Sequence, residues 1–272
     1  MKLLPVFPAY YNLLDKLGWF ALRGAGIGVI VYLLLPVVVI IPLSFSDSSF
    51  LAYPIEGWSL QWYREMFHSD DWIRAAKNSF IVAPLATLLA TVLGTLAAMG
   101  LANTKFFSKG FITSLLIAPM VVPIVVVGVS SYLYFAKWGL NDTYLGLVIV
   151  HAALGAPFVV TTVLATLQSF NHNLVKASLS LGASPLETFF RVTLPVIAPG
   201  VISGALFAFA TSFDEVVVTL FLAGPEQVTL PRQMFTGIRE NISPVIAAVA
   251  TLLTLFTTAL MMTLEWLRGR SK

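Results

Sequence analysis

Six apolar runs restrict what this chain can fold into. Residues 24–46, 79–102, 111–136, 143–170 and 242–264 carry no charged side chain, and residues 192–224 carry only Asp214 and Glu215. Each exceeds the roughly 20 helical residues that cross a hydrocarbon layer. Backbone polar groups must be paired in lipid, and the runs have neither the length nor the polar alternation of barrel strands. The expectation is therefore an all-α bundle of six transmembrane helices. Composition agrees: 58% of residues are hydrophobic and 11% charged, against roughly a quarter charged in soluble domains. An even number of spans puts both termini on one side, in one membrane domain over residues 1–272.

Charge orients the bundle, because Lys and Arg in short loops stay cytoplasmic. Placing both termini there gathers ten basic residues: Lys2, Lys16, Arg23, Lys105, Lys109, Lys176, Arg191, Arg268, Arg270 and Lys272. They stand against three acidic ones, Asp15, Glu187 and Glu265. The net charge of +3 is thus a difference between a basic and an acidic face and indicates no nucleic acid partner. The first run starts late and is followed by SFSDSSF rather than a small-residue cleavage pattern, which reads as a retained anchor.

Soluble segments are few. In the longest loop, 47–78, the stretches GWSLQWYREMF and DWIRAAKNS mix Trp58, Trp62, Tyr63 and Trp72 with charges, as amphipathic helices at a lipid surface do. Loops 103–110 and 137–142 tie neighbouring spans into antiparallel pairs. With no cysteine, disulfides and thiolate metal sites are excluded, and His68, His151 and His172 are too scattered for a metal site. The chain has no phosphate-binding G-x-x-x-x-G-K-[ST], no H-E-x-x-H and no nucleophile elbow. The expectation is a non-enzyme without a cofactor of its own.

The exception to the apolar character is the stretch 175–200, VKASLSLGASPLETFFRVTLPVIAPG. Leu174, Ala177 and Leu181 alternate with Lys176, Ser178 and Ser180 as on a short surface helix. Gly182 can take the positive φ that closes it, and Ser184-Pro185 supplies the N-cap and first-turn proline of a second helix. That helix would set Leu186, Phe189 and Phe190 against Glu187 and Arg191. Pro195 and Pro199 then restrict the chain where it re-enters the membrane. Two short helices with a sharp bend suit a groove on a partner.

Lys176-Ala177-Ser178, Gly182-Ala183 and Leu194-Pro195 together resemble the cytoplasmic loop of binding-protein-dependent ABC importer permeases, whose consensus is E-A-A, three residues, G, and a hydrophobic stretch ending in L-P. Lys176 and Ser178 depart from that consensus, where Glu and Ala are usual. The resemblance extends from about Val31 to the end; the segment SFDEVVVTLFLAGPEQVTLPRQMF from Ser212 is similar to the second permeases of spermidine/putrescine importers. It implies a coupling loop at about 170–195 seated on two ATPase subunits that hold ATP-Mg, a homologous second permease, an extracytoplasmic substrate-binding protein, and a place in the bacterial cytoplasmic (inner) membrane. The implied solute is a small cation, foremost a polyamine. Relatives that import 4-aminobutyrate or opines share much of the pattern.

The acids fit a translocation path, since a carboxylate at mid-membrane costs about 2.5–3.5 kcal/mol and usually faces a bundle interior or water. On a helix from 198 to 222, Asp214 would lie roughly 12 Å from the outer end, and the two acids would point about 100° apart. Glu215 would share a polar stripe with Thr211, Ser212 and Thr219, whereas the resemblance favours Asp214. His151 lies at similar depth and reads first as a packed hydrogen-bonder. The small-residue patches 24–28 and 200–204 permit close helix contact. A self-sufficient secondary transporter and a membrane enzyme are the competing classes; the chain shows neither inverted repeats nor a matched acid, base and nucleophile.

Overall fold

The computed structural model describes residues 10–103, 108–240 and 242–270, so Lys2, Lys105 and Lys272 of the basic set lie outside the described residues. Regular structure among the described residues is helical, and an isolated bridge pairs Ser46 with Trp58. Among the described residues, four helices are long and apolar enough to cross a membrane: Leu13–Leu43, Asp70–Ala102, Tyr144–Gln168 and Pro185–Phe213. A further pair, Lys109–Met120 and Ile124–Ala136, reaches that length only when joined and is bent by 96°. The chain divides into two compact units, Met1–Met66 with Ile242–Gly269, and Phe67–Asn241 with Arg270–Lys272.

The first unit contains α1 (Leu13–Leu43), most of α2 (Gln61–His68) and the apolar helix that closes the chain. Asn12 caps α1, its backbone N–H donating to Asp15 Oδ2 at 2.9 Å. Nearly all α1 side chains are exposed, as suits an apolar helix whose neighbour is lipid. After α1 the chain folds back on α2 through polar tips: Trp62 Nε1 donates to the Ser46 carbonyl at 2.7 Å and Gln61 Nε2 to that of Asp47 at 2.8 Å. Ser44 Oγ and Tyr63 Oη lie 2.6 Å apart. Of the first expected surface helix, at GWSLQWYREMF, the part from Gln61 onward is helical and residues 57–60 are not. The second, DWIRAAKNS, is instead the first turns of α3 (Asp70–Asn103), continuous with the span because no proline or glycine interrupts it before Pro84.

In the second unit α3, α6 (Tyr144–Gln168) and α9 (Leu194–Phe213) pack mutually. Lipid supplies no hydrophobic drive between helices, so close approach matters more than burial area. A Cβ on Gly204 would stand 2.7 Å from Val159 Cα, and one on Gly155 would stand 2.9 Å from Ala208 Cβ. The 200–204 patch therefore serves contact between α6 and α9. Around Gly24, Gly26 and Gly28 the space within 4 Å is open.

Two expected spans are interrupted. Run 111–136 divides into α4 (Lys109–Ile117), a 3-10 turn at Ala118–Met120, and α5 (Ile124–Ala136). Pro119 and Pro123 cannot donate to the ladder, and Pro123 takes an extended ψ of 127° that redirects the chain. The fifth run ends at Phe213 and resumes as a short helix after three residues.

Candidate functional site

Two places gather the residues that the sequence points to. The first is the turn between α7 (Asn173–Ser180) and α8 (Pro185–Thr188). Asn171 Oδ1 receives the Asn173 N–H at 3.0 Å as α7 starts. Gly182, at φ +88°, closes it: the Gly182 N–H donates to Leu179 O at 3.0 Å and the Ala183 N–H to Ser178 O at 3.2 Å. This is a Schellman closure, and its left-handed residue favours glycine. Ser184 Oγ then accepts from Glu187 N at 3.2 Å, with Pro185 at the first helical position. Ser178 Oγ and Thr188 Oγ1 meet at 3.0 Å and join the two helices.

The outward side of this turn is apolar. Leu181 is 88% exposed and Leu186 69%, with Phe190, Leu174 and Lys176 exposed beside them. An exposed Glu187–Arg191 pair at 3.4 Å flanks them. Phe189 turns the other way and lines a cavity of about 170 Å³ with Met99, Phe170, Val175 and Leu179. The second helix is not the separate short piece that the sequence suggests. It runs through a π-helical turn, Phe189–Thr193, into α9, so Leu194 and Pro195 continue one helix. The wider turn accommodates Pro195, which has no N–H to return to Arg191.

The second place is the interruption between α9 and α10 (Val217–Leu222). The continuous helix expected over 198–222 is absent, and with it the depth computed for Asp214 and the polar stripe. Asp214 ends α9, its N–H donating to Ala210 O at 3.1 Å, and it is exposed. Glu215 faces back into the chain: its Oε1 accepts from the Val218 N–H at 2.7 Å, capping the start of α10. The two carboxylates thus occupy different environments, one open and one spent on a helix start.

Ser212 and Thr219 do not line a stripe with Glu215 but converge on His151. His151 Nδ1 lies 2.9 Å from Ser212 Oγ, and its Nε2 lies 3.3 Å from Thr219 Oγ1. Thr219 Oγ1 also donates to the Glu215 carbonyl at 3.2 Å. All three side chains are buried, whereas Thr211 is half-buried. Of the residues that the sequence points to here, the fold brings His151, Ser212, Thr219 and the Glu215 backbone together and leaves Asp214 and Thr211 outside that cluster.

Sequence reasoning missed the groups holding the far end of α10. Arg232, on α11 (Leu230–Glu240), donates to the carbonyls of Thr219 and Ala223, and the Asp142 N–H donates to Leu222 O at 2.9 Å. Burial lowers the Arg232 pKa, and the Asp142 carboxylate opposes that shift. Fully buried Asn78 donates to the carbonyls of Glu226 and Val228, both at 2.8 Å, and accepts from Tyr144 Oη at 2.7 Å. The available signal was Arg232 itself, a basic residue directly after Leu230-Pro231. No group of three or more His, Asp or Glu side chains is placed to hold a metal ion among the described residues.

Residues 90–271 match the family of binding-protein-dependent transport system inner membrane components. The chain is 34% identical over 230 residues to the putrescine transport system permease protein PotI of Escherichia coli (strain K12), covering 82% of this chain and 81% of that one. It is 31% identical over 242 residues to the spermidine/putrescine transport system permease protein PotC of Haemophilus influenzae, covering 89% and 94%. Its fold is similar, at a TM-score of 0.73 and 14% identity, to a chain in the crystal structure of a bacterial ABC transporter involved in import of the acidic polysaccharide alginate, over 96% of this chain and 99% of that one. The chain belongs to the family of binding-protein-dependent transport system inner membrane components.

Proposed function

We propose that this chain is the permease subunit of an ATP-driven polyamine importer. Likeness to named putrescine and spermidine/putrescine permeases over more than four fifths of the chain carries that reading. The exposed Asp214 carboxylate at the helix interruption supports a cationic solute. Four helices and the bent pair supply up to five spans, with Val245–Leu260 a shorter apolar helix. On this reading that helix is the sixth span of one membrane domain, and both termini and the α7–α8 turn are cytoplasmic.

There Lys176, Ala177, Ser178, Gly182, Ala183, Leu194 and Pro195 form the coupling element against an ATPase subunit that holds ATP-Mg, with Leu181 and Leu186 as its apolar contacts. A homologous permease completes the path, and an extracytoplasmic binding protein delivers the solute. Asp214 attracts the solute, and Glu215, Thr211, Ser212, Thr219 and His151 build the wall that presents it.

The test is uptake in vesicles containing this chain with its partner permease, ATPase and binding protein. Labelled putrescine and spermidine should accumulate only with ATP and binding protein, and excess 4-aminobutyrate should not compete. Uptake driven by an ion gradient without ATP, or competition by 4-aminobutyrate at equal concentration, would overturn the respective half of the reading.

A further inference from the structure

Hydroxyl side chains in this protein mostly return their hydrogen to their own helix. Thr87 donates to Ala83 O, Thr161 to Pro157 O, Thr166 to Thr162 O and Ser203 to Pro199 O, each four residues back. In apolar surroundings this is the default partner of a helical Ser or Thr. Ser212 departs from it. Its hydroxyl meets His151 Nδ1 at 2.9 Å rather than the carbonyl of Ala208.

The bonds around His151 fix one direction. The Thr219 hydroxyl hydrogen goes to the Glu215 carbonyl, so Thr219 Oγ1 receives from His151 Nε2–H. Nδ1 is then the acceptor for Ser212 O–H. A neutral imidazole is left with both nitrogens satisfied in a site where it is 1% exposed. Its two partners lie on opposite sides of the interruption, one in the last turn of α9 and the other in α10. Fragment α10 is also held at its other end by Arg232 and Asp142, leaving 214–216 as the segment that the imidazole spans.

We propose that His151 is a positioning residue that holds the α9–α10 interruption open and so keeps Asp214 exposed while Glu215 caps α10. Without it, Ser212 falls back on its own helix and the chain gains by closing the ladder across 214–216. Closure swings Asp214 off its present side. The inference rests on the reading of Asp214 as the solute-facing acid, but its structural arm is tested without transport.

Because the chain has no cysteine, a single Asp214→Cys reports on the segment directly. Its rate of modification by a membrane-impermeant methanethiosulfonate is measured in the assembled complex, with His151 intact and with His151→Phe or Ser212→Ala. Each change should slow modification at least about fivefold, the population shift that loss of one ordinary hydrogen bond produces, and the double variant should slow it no further. A Ser49→Cys control, in the exposed loop after α1, should react at an unchanged rate in all of them. If His151→Phe fails to assemble, Ser212→Ala removes only a hydroxyl and carries the test alone.

In a chain retaining Asp214, Ser212→Ala should raise the KM for putrescine with the amount of complex unchanged. Unchanged modification rates, fully additive slowing, or a fall in complex with KM unaltered would overturn the proposal. Full uptake by Asp214→Asn overturns the path reading alone, and the modification rates still decide the role of His151.

Discussion

The α7–α8 turn and the α9–α10 interruption are both breaks in helix, yet they are built in opposite ways. The bonds that close the turn are all local, from Gly182 to Leu179, Ala183 to Ser178 and Glu187 to Ser184, with Ser178 and Thr188, ten residues apart, the longest link across it. The interruption is held by His151, 61 residues from Ser212 and 68 from Thr219. The turn exposes its apolar residues and buries little, whereas the interruption buries its polar residues and exposes one acid. A locally coded break is suited to being moved as a unit by a partner. A break held from another helix is suited to keeping one geometry while the bundle around it moves.

The comparison breaks first at Asp214. Neutralising it as Asp214→Asn removes the open carboxylate without touching a hydrogen bond described around it, and putrescine uptake should fall about tenfold or more, since opposite charges attract far more strongly in a partly dehydrated path than in water. Uptake equal to wild type would make the interruption a packing feature only. Complex recovery, measured in parallel, should not change.

Next is Gly182→Val at the turn. A β-branched residue at φ +88° opposes the left-handed conformation by about 1–2 kcal/mol, so uptake should fall about five- to tenfold with membrane insertion intact. ATP hydrolysis should persist and become less dependent on solute. Full coupled uptake by a correctly inserted variant would show that the turn transmits nothing.

Glu215→Gln should do less, about two- to threefold on uptake, because the amide oxygen can still accept from the Val218 N–H and maintain the cap. A loss as large as that at Asp214→Asn would mean that both acids meet the solute. The difference between the two variants thus measures how separate their environments are.

The smallest effect belongs to Lys176→Glu. Its side chain is exposed, and a charge at the rim of an interface is worth about 1 kcal/mol or less, so recovery of the complex with the native ATPase should change by about fivefold at most. An unchanged recovery and unchanged ATPase stimulation would remove Lys176 from partner choice and leave the apolar pair Leu181 and Leu186 as the recognition surface.

What the sequence determined by itself was whatever short-range chemistry dictates. Uncharged runs had to become helices because lipid leaves backbone groups no other partner. Gly182, Ser184 and Pro185 announced their turn because a positive φ, an N-cap and a first-turn proline are properties of single residues and near neighbours. Only the tertiary structure decided the rest. Pro119 and Pro123 allowed a bend in 111–136 without setting its 96°. Asp214 and Glu215, adjacent in the chain, resembled two points on one helix until His151 drew Ser212 and Thr219 to itself and divided that helix between them. A hydrogen bond across 61 residues leaves no periodicity to read, and its energy exists only once α6 and α9 are packed.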